Sequence, residues 1–179
     1  MNYFSRFLIG VCLIGIAGLV HAGASVSPTE TRTATESSED EAFIGLEWTF
    51  GGSVLPEVEV GYRSVDVESN GDVSGAEASL SYNFERGGLG KFKIEAVEGE
   101  DNVQGQLGIG YNLANPGFML TGGAQGNFIF GGIDYTFGSG LDIIGGFNTI
   151  GDYDVPAADV TLSCPDGYML VGTTCTPPI

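Results

Sequence analysis

Basic residues are scarce in this chain. Six Lys and Arg stand against 23 Asp and Glu, a formal net charge of -17. No cationic stripe is therefore present to hold nucleic-acid phosphates or an anionic lipid surface. Histidine is scarcer still: His21 is the single one, and it falls in a segment read below as cleaved. Without it the mature chain has no imidazole for a Ser-His-Asp triad, for a general base near neutral pH or for a zinc site. Catalysis is not expected, and no catalytic or cofactor-binding residues are assigned. A phosphate-cradling glycine loop is also missing. The Gly pairs at 122-123, 131-132 and 145-146 sit in or beside strand-like segments, where glycine permits close packing or bending.

Long apolar runs are absent after the N-terminus. Met1 to Arg6 carries one basic residue, Phe7 to Val20 is continuously apolar, and Val20-His21-Ala22 is a small-x-small site. These are the three parts of a secretory signal peptide, so 1-22 is read as removed after Ala22. The run is too short for a transmembrane helix. Cys12 follows Val11 inside the run, which excludes a lipoprotein signal. The remainder, Gly23 to Ile179, is room for one domain. Two cysteines remain, Cys164 and Cys175. In an exported chain such a pair reads as a disulfide, here closing a loop around Pro165-Asp166-Gly167. The chain-entropy contribution of so short a loop is about 3 kcal/mol.

What is abundant is glycine, at 30 residues, together with alternation. Residues 23-41 are rich in Ser, Thr and Glu with almost no large apolar side chain, and are expected to be a disordered acidic linker. From Ala42 to Gly151 about eight strands can be drawn, and 152-179 forms a C-terminal tail with the cysteine loop. In the first strand Ile44, Leu46, Trp48 and Phe50 oppose Phe43, Gly45, Glu47 and Thr49. The third sets Ala76, Ala78, Leu80, Tyr82 and Phe84 against Glu77, Ser79, Ser81 and Asn83, and the fourth sets Phe92, Ile94 and Ala96 against Lys91, Lys93 and Glu95. This is the period of a strand with two unlike faces. Four strands end alike: Trp48-Thr49-Phe50, Tyr82-Asn83-Phe84, Tyr111-Asn112-Leu113 and Tyr135-Thr136-Phe137 each run into a turn.

Alternation alone leaves two architectures open. In a soluble sandwich or barrel the apolar faces point inward; in a membrane barrel they face lipid and the polar faces fill the lumen. Two features favour the second. The polar faces are dense in Glu, Gln, Asn and Gly with interleaved Lys and Arg, as a narrow lumen requires. The large aromatics also gather at one end of the hairpins, which suits a membrane interface.

The signal peptide, the strands of roughly ten residues and the Tyr-x-Phe strand ends before short turns resemble the small outer-membrane β-barrel proteins of Gram-negative bacteria. The resemblance is to an architecture and covers 42-151. It implies an antiparallel up-and-down β-barrel, contact with outer-membrane lipid, and a non-catalytic structural, adhesion or host-contact role with an extracellular or envelope partner engaged through loops. The rival is a soluble secreted or periplasmic ligand-binding barrel or sandwich. In the resembled proteins such aromatic ends precede periplasmic turns, which would set Val67 to Gly75 on the outer side as the longest hairpin loop. Two departures follow. Both barrel ends would then lie outside, and the chain ends Thr176-Pro177-Pro178-Ile179 and not on an aromatic strand. The orientation is inverted, a strand is miscounted, or the tail adds one through Val160, Leu162, Met169 and Leu170.

One loop carries a metal-like pattern. Asp66, Glu68, Asn70, Asp72 and Glu77 place oxygen donors at calcium-loop spacing, with Gly71 at the sixth position. Glu at the third position is unusual, and the flanks alternate as strands. Asn70-Gly71 is equally a strong hairpin dipeptide. The carboxylates Glu47, Glu57, Glu59 and Glu95 are read as interior ion-pair partners of Arg63, Lys91 and Lys93.

Overall fold

The computed structural model describes residues 25-52 and 54-178; the expected signal peptide, 1-22, lies outside them. The described residues contain no helix and twelve strands: β1 Thr29–Thr33, β2 Glu36–Phe50, β3 Glu57–Glu68, β4 Asp72–Asn83, β5 Gly88–Glu100, β6 Val103–Asn112, β7 Gly117–Gly126, β8 Ile129–Thr136, β9 Gly140–Asn148, β10 Asp159–Ser163, β11 Met169–Val171 and β12 Thr174–Thr176. The eight strands β2 to β9 close into an antiparallel barrel in sequence order. Each expected strand is present.

Alternation determines which face each strand turns inward, and the outcome inverts a soluble core. Glu47, Glu59, Arg63, Glu77, Lys91, Lys93, Gln104, Gln125 and Asp134 are buried, whereas Ile44, Leu46, Phe50, Val60, Phe92, Ile94, Leu107, Ile109, Leu120, Ile133 and Ile143 are exposed. The lumen is polar and the outer wall apolar.

Register fixes the geometry. Following paired residues round from Ser37 leads through Val67, Val73, Gly99, Gln104, Gln125, Phe130 and Gly146 to Glu47, ten residues further along β2. A stagger of that size over eight strands tilts them about 40° to the barrel axis. Strands of roughly nine residues with apolar outward positions then give a band about 23 Å tall, close to the apolar band of membrane barrels.

The two ends of the barrel differ. At one end the turns 51-56, 84-87, 113-116 and 137-139 carry the aromatic strand ends. Tyr82 packs on Phe84, Tyr111 on Phe118 and Tyr135 on Phe137, all edge-to-face with centroids 5.3 Å apart. At the other end the chain enters at Glu36 and leaves at Asn148, and the turns shrink to 69-71, 101-102 and 127-128.

Two expectations need correction at this entry end. The segment 36-41 was expected to be linker, yet it is the first part of β2, pairing from Glu36↔Glu68 to Glu41↔Arg63. Thr29–Thr33 is also strand, pairing β10. The composition argument missed this because order here comes from ladder hydrogen bonds and not from burying apolar side chains. Likewise Val67 to Gly75 is no long loop. β3 runs to Glu68 and β4 starts at Asp72, and the chain reverses at Asn70-Gly71. Gly71 takes φ 93°, and Asn70 Oδ1 accepts the Asp72 N–H at 3.0 Å.

Arg32–Thr161 forms one compact unit, and the described residues up to Thr31 with those from Leu162 form another. In the second unit the Cys164–Cys175 disulfide is formed, β11 pairs β12, and Val26 bridges Cys175. The tail strands stay outside the barrel sheet.

Candidate functional site

The lumen is built by the inward positions of the first four barrel strands together with Gln104 and Asn112 of β6 and Thr121, Gln125 and Asp134 opposite. Lys91, on β5, donates to Glu47 Oε1 and to Asp134 Oδ2, each at 2.7 Å, and Lys93 donates to Glu47 Oε2 at 2.7 Å. Glu47 thus bridges two ammonium groups that are themselves only 4% exposed. Lower in the barrel the Arg63 guanidinium donates from Nε to Glu77 Oε2 at 2.7 Å, reinforced from Nη2.

Carboxylates outnumber cations here: six (Glu47, Glu57, Glu59, Glu77, Glu95, Asp134) are buried beside three (Arg63, Lys91, Lys93). Neutral donors hold part of the excess. Ser81 and Asn83 donate to Glu57, and Thr121 donates to Glu95 at 3.0 Å. An interior cavity of about 20 Å³, lined by Glu59, Glu77, Lys93, Glu95, Gln106 and Thr121 among others, has room for about one water, and a second of about 170 Å³ lies at the aromatic end beside Glu47, Glu57, Lys91 and Asn112.

The entry end is sealed differently. There the inward positions of β3 to β5 become apolar: Val65, Val67, Val73 and Val97 form a buried cluster, and Tyr153 packs against it. Tyr153 belongs to the segment after β9. Its hydroxyl accepts from Arg63 Nη1 at 3.4 Å and donates to Glu41 Oε1 at 3.0 Å, and its N–H donates to the Asp101 carbonyl. Burial, opposed by Arg63 and aided by Glu41, pushes the phenol up to about 12. The segment therefore straps across the lumen.

Outward polarity switches at the same level. Glu36, Ser38 and Asp40 on β2, Asp66 and Glu68 on β3, Asp72 and Ser74 on β4, and Glu98 and Glu100 on β5 are exposed. Beyond the apolar band these four strands continue as a projecting sheet, acidic outside, with β3 to β5 apolar inside and Glu39 and Glu41 of β2 on the inward face.

The five calcium candidates are not brought together. Asp66, Glu68 and Asp72 point outward from the hairpin, and Asp66 accepts from Ser38 at 2.6 Å. Asn70 donates to Asp72 at 2.7 Å. Glu77 faces the lumen, bound to Arg63. A strand-period flank sends the first and twelfth loop positions to opposite faces, which a helical flank would not do. Of the expected ion pairs, Glu47 has both lysines, whereas Arg63 takes Glu77, a residue the calcium pattern had claimed. Its place between Ala76 and Ala78, in step with Ser79 and Ser81, was the signal for the lumen. Tyr153 left no periodic signal, since its segment is irregular.

Comparison with protein-family models, with curated proteins and with solved structures found no match.

Proposed function

We propose that the chain is a membrane-spanning β-barrel of the outer-membrane kind with a sealed lumen, serving a non-catalytic surface or envelope role. One observation carries this reading: the wall is apolar while buried ion pairs fill the interior. Monomeric soluble proteins rarely expose apolar patches beyond a few hundred Å², and here such side chains cover every barrel strand. A soluble ligand-binding barrel would want the reverse, an apolar cavity within. The filled lumen argues against a diffusion pore, so binding is left to the two ends.

The orientation that fits best is the reverse of the one the aromatic turns suggested. Membrane barrels pair short periplasmic turns with longer external loops, and the short turns lie at the entry end, where the barrel also begins and ends. The aromatic end then faces outward. Cell fractionation followed by electrophoresis with and without boiling tests the proposal. Outer-membrane enrichment with a heat-dependent mobility shift is expected; recovery as soluble protein without a shift would overturn it.

A further inference from the structure

The stagger of the barrel leaves one strand edge open. β9 pairs β2 only from Gly45↔Asn148 to Phe50↔Ile143, so among the described residues Glu36 to Phe43 has β3 on one side and no strand on the other. Hydrogen bonding shows which groups face the open side. Ile44 receives the Thr149 N–H on its carbonyl, and its own N–H donates to Thr149 Oγ1. Thr35, at an odd position, bonds Ser69 on the β3 side instead. By the two-residue period the N–H and C=O groups of Ser38, Asp40 and Ala42 point outward along the edge. All three residues are exposed, and no backbone partner for them exists among the described residues.

Beside this edge, on the inward face, lies a cleft of about 150 Å³ lined by Glu39, Glu41, Gly151, Asp152, Tyr153 and Asp154. Four of the six are acidic. A strand added to β2 would continue the sheet, and its inward side chains would project into that cleft.

We infer that the β2 edge from Glu36 to Ala42 receives an extended basic segment of another polypeptide. Backbone pairing at Ser38, Asp40 and Ala42 supplies the docking, and a Lys or Arg side chain enters the Glu39–Asp154 cleft. The occupant is basic because the edge strand carries Glu36, Glu39, Asp40 and Glu41 with no cation, and charges of opposite sign favour cross-strand neighbours. For the same reason it is not a second copy of this chain, whose edge would set carboxylate against carboxylate. Strand addition of this kind derives affinity from the main chain and selectivity from alternate side-chain sites. The inference does not rest on the membrane reading, since the edge lies beyond the apolar band in either case.

The test uses the full mature protein in detergent micelles at about 50 mM salt, where charge pairing is least screened. Fluorescence anisotropy follows a labelled nine-residue peptide alternating lysine and threonine. A second peptide of the same charge is N-methylated at alternate residues, in both possible phases. The unmodified peptide is expected to bind, and one N-methyl phase to weaken binding at least tenfold while the other leaves it unchanged. Replacing lysine by glutamate abolishes binding, and Asp152→Asn with Asp154→Asn weakens it several-fold. Ser38→Pro, which removes an edge N–H and spares the β3 ladder, also weakens it; circular dichroism verifies that this variant folds, and if it does not, the N-methyl pair decides. Equal binding of both N-methyl peptides would reduce the contact to bulk charge and overturn strand addition. No binding at low salt, or concentration-dependent dimerisation through the same edge, would overturn the assigned occupant.

Discussion

Replacing Arg63 by Met tests whether the lumen around Glu77 is dry and held by its ion pair. Arg63 is 0% exposed, with Nε 2.7 Å from Glu77 Oε2. At an effective dielectric of 20, that separation corresponds to an attraction of about 6 kcal/mol. Removing the guanidinium leaves Glu77 buried without its cation, and takes a donor from Gln104 and Tyr153. Breaking a buried pair from one side costs about 3–5 kcal/mol, so Arg63→Met should lower the unfolding free energy by that amount. Glu77→Met on the same background should recover most of it, because a buried pair replaced by apolar groups is often neutral or better. The assay is urea unfolding of the barrel refolded into lipid vesicles, read by the boiling-sensitive gel shift and tryptophan fluorescence of Trp48. A single variant within 1 kcal/mol of the parent would refute the reasoning. Glu77 would then be solvated, and the lumen would be wet instead of sealed.

On the outer wall, Ile109 is 63% exposed near the middle of the apolar band. Ile109→Arg should destabilise the vesicle-embedded barrel by about 2–4 kcal/mol, whereas at a water-exposed site the change would stay within about 0.5 kcal/mol. Inside, a Cβ at Gly61 would fall on the Phe43 ring directly across the ladder. Gly61→Val should therefore cost about 1–3 kcal/mol of overpacking, measured by the same unfolding curve, and an unchanged midpoint would contradict the packing. Tyr153 gives a pH signature. Its folded value of about 12 lies above the usual 10 of an unfolded tyrosine, so its contribution is complete below pH 10 and disappears as pH rises through 12. The stability difference between parent and Tyr153→Phe should narrow across that window in unfolding measured from pH 9 to 12; a constant difference would mean the phenol does not sense folding.

The barrel was legible because the two-residue period is unbroken in its strands. Trp48, Phe50, Tyr82, Phe84, Tyr111 and Tyr135 all take the outward face that alternation assigned to them, beside turns at one end. Trp48 lies half-buried there, its ring edge-on to Phe147 at 6.2 Å. The limits of strands were harder to read where the polarity of the two faces exchanges. Val65, Val67, Val73 and Val97 lie inward, and Glu36, Asp40, Asp66 and Glu98 outward, so a search for apolar-out, polar-in segments stops at Ala42 and opens a false loop at Val67. The pattern continued; only the polarity of its two faces had exchanged. Tyr153 was not legible at all, because its partners Arg63, Glu41 and Asp101 are distant in sequence and its segment has no period.

That exchange of polarity also separates the closed part of the barrel from its projecting edge. Within the apolar band the strands need every backbone group satisfied, and closure through β9 and β2 satisfies them there. Beyond the band water can satisfy an open edge, and only there do the described residues leave β2 without a strand on one side, over the stretch where the stagger carries it past β9. The acidity follows the same division. Three of the chain's six basic residues, Arg63, Lys91 and Lys93, are spent inside the lumen, which leaves the projecting sheet with Glu36, Asp40, Asp66, Glu68, Asp72, Glu98 and Glu100 at its surface. A second copy of such a sheet would be repelled and a cationic strand attracted. On the proposed membrane reading, a chain with this charge balance would place its selectivity where the bilayer no longer constrains it.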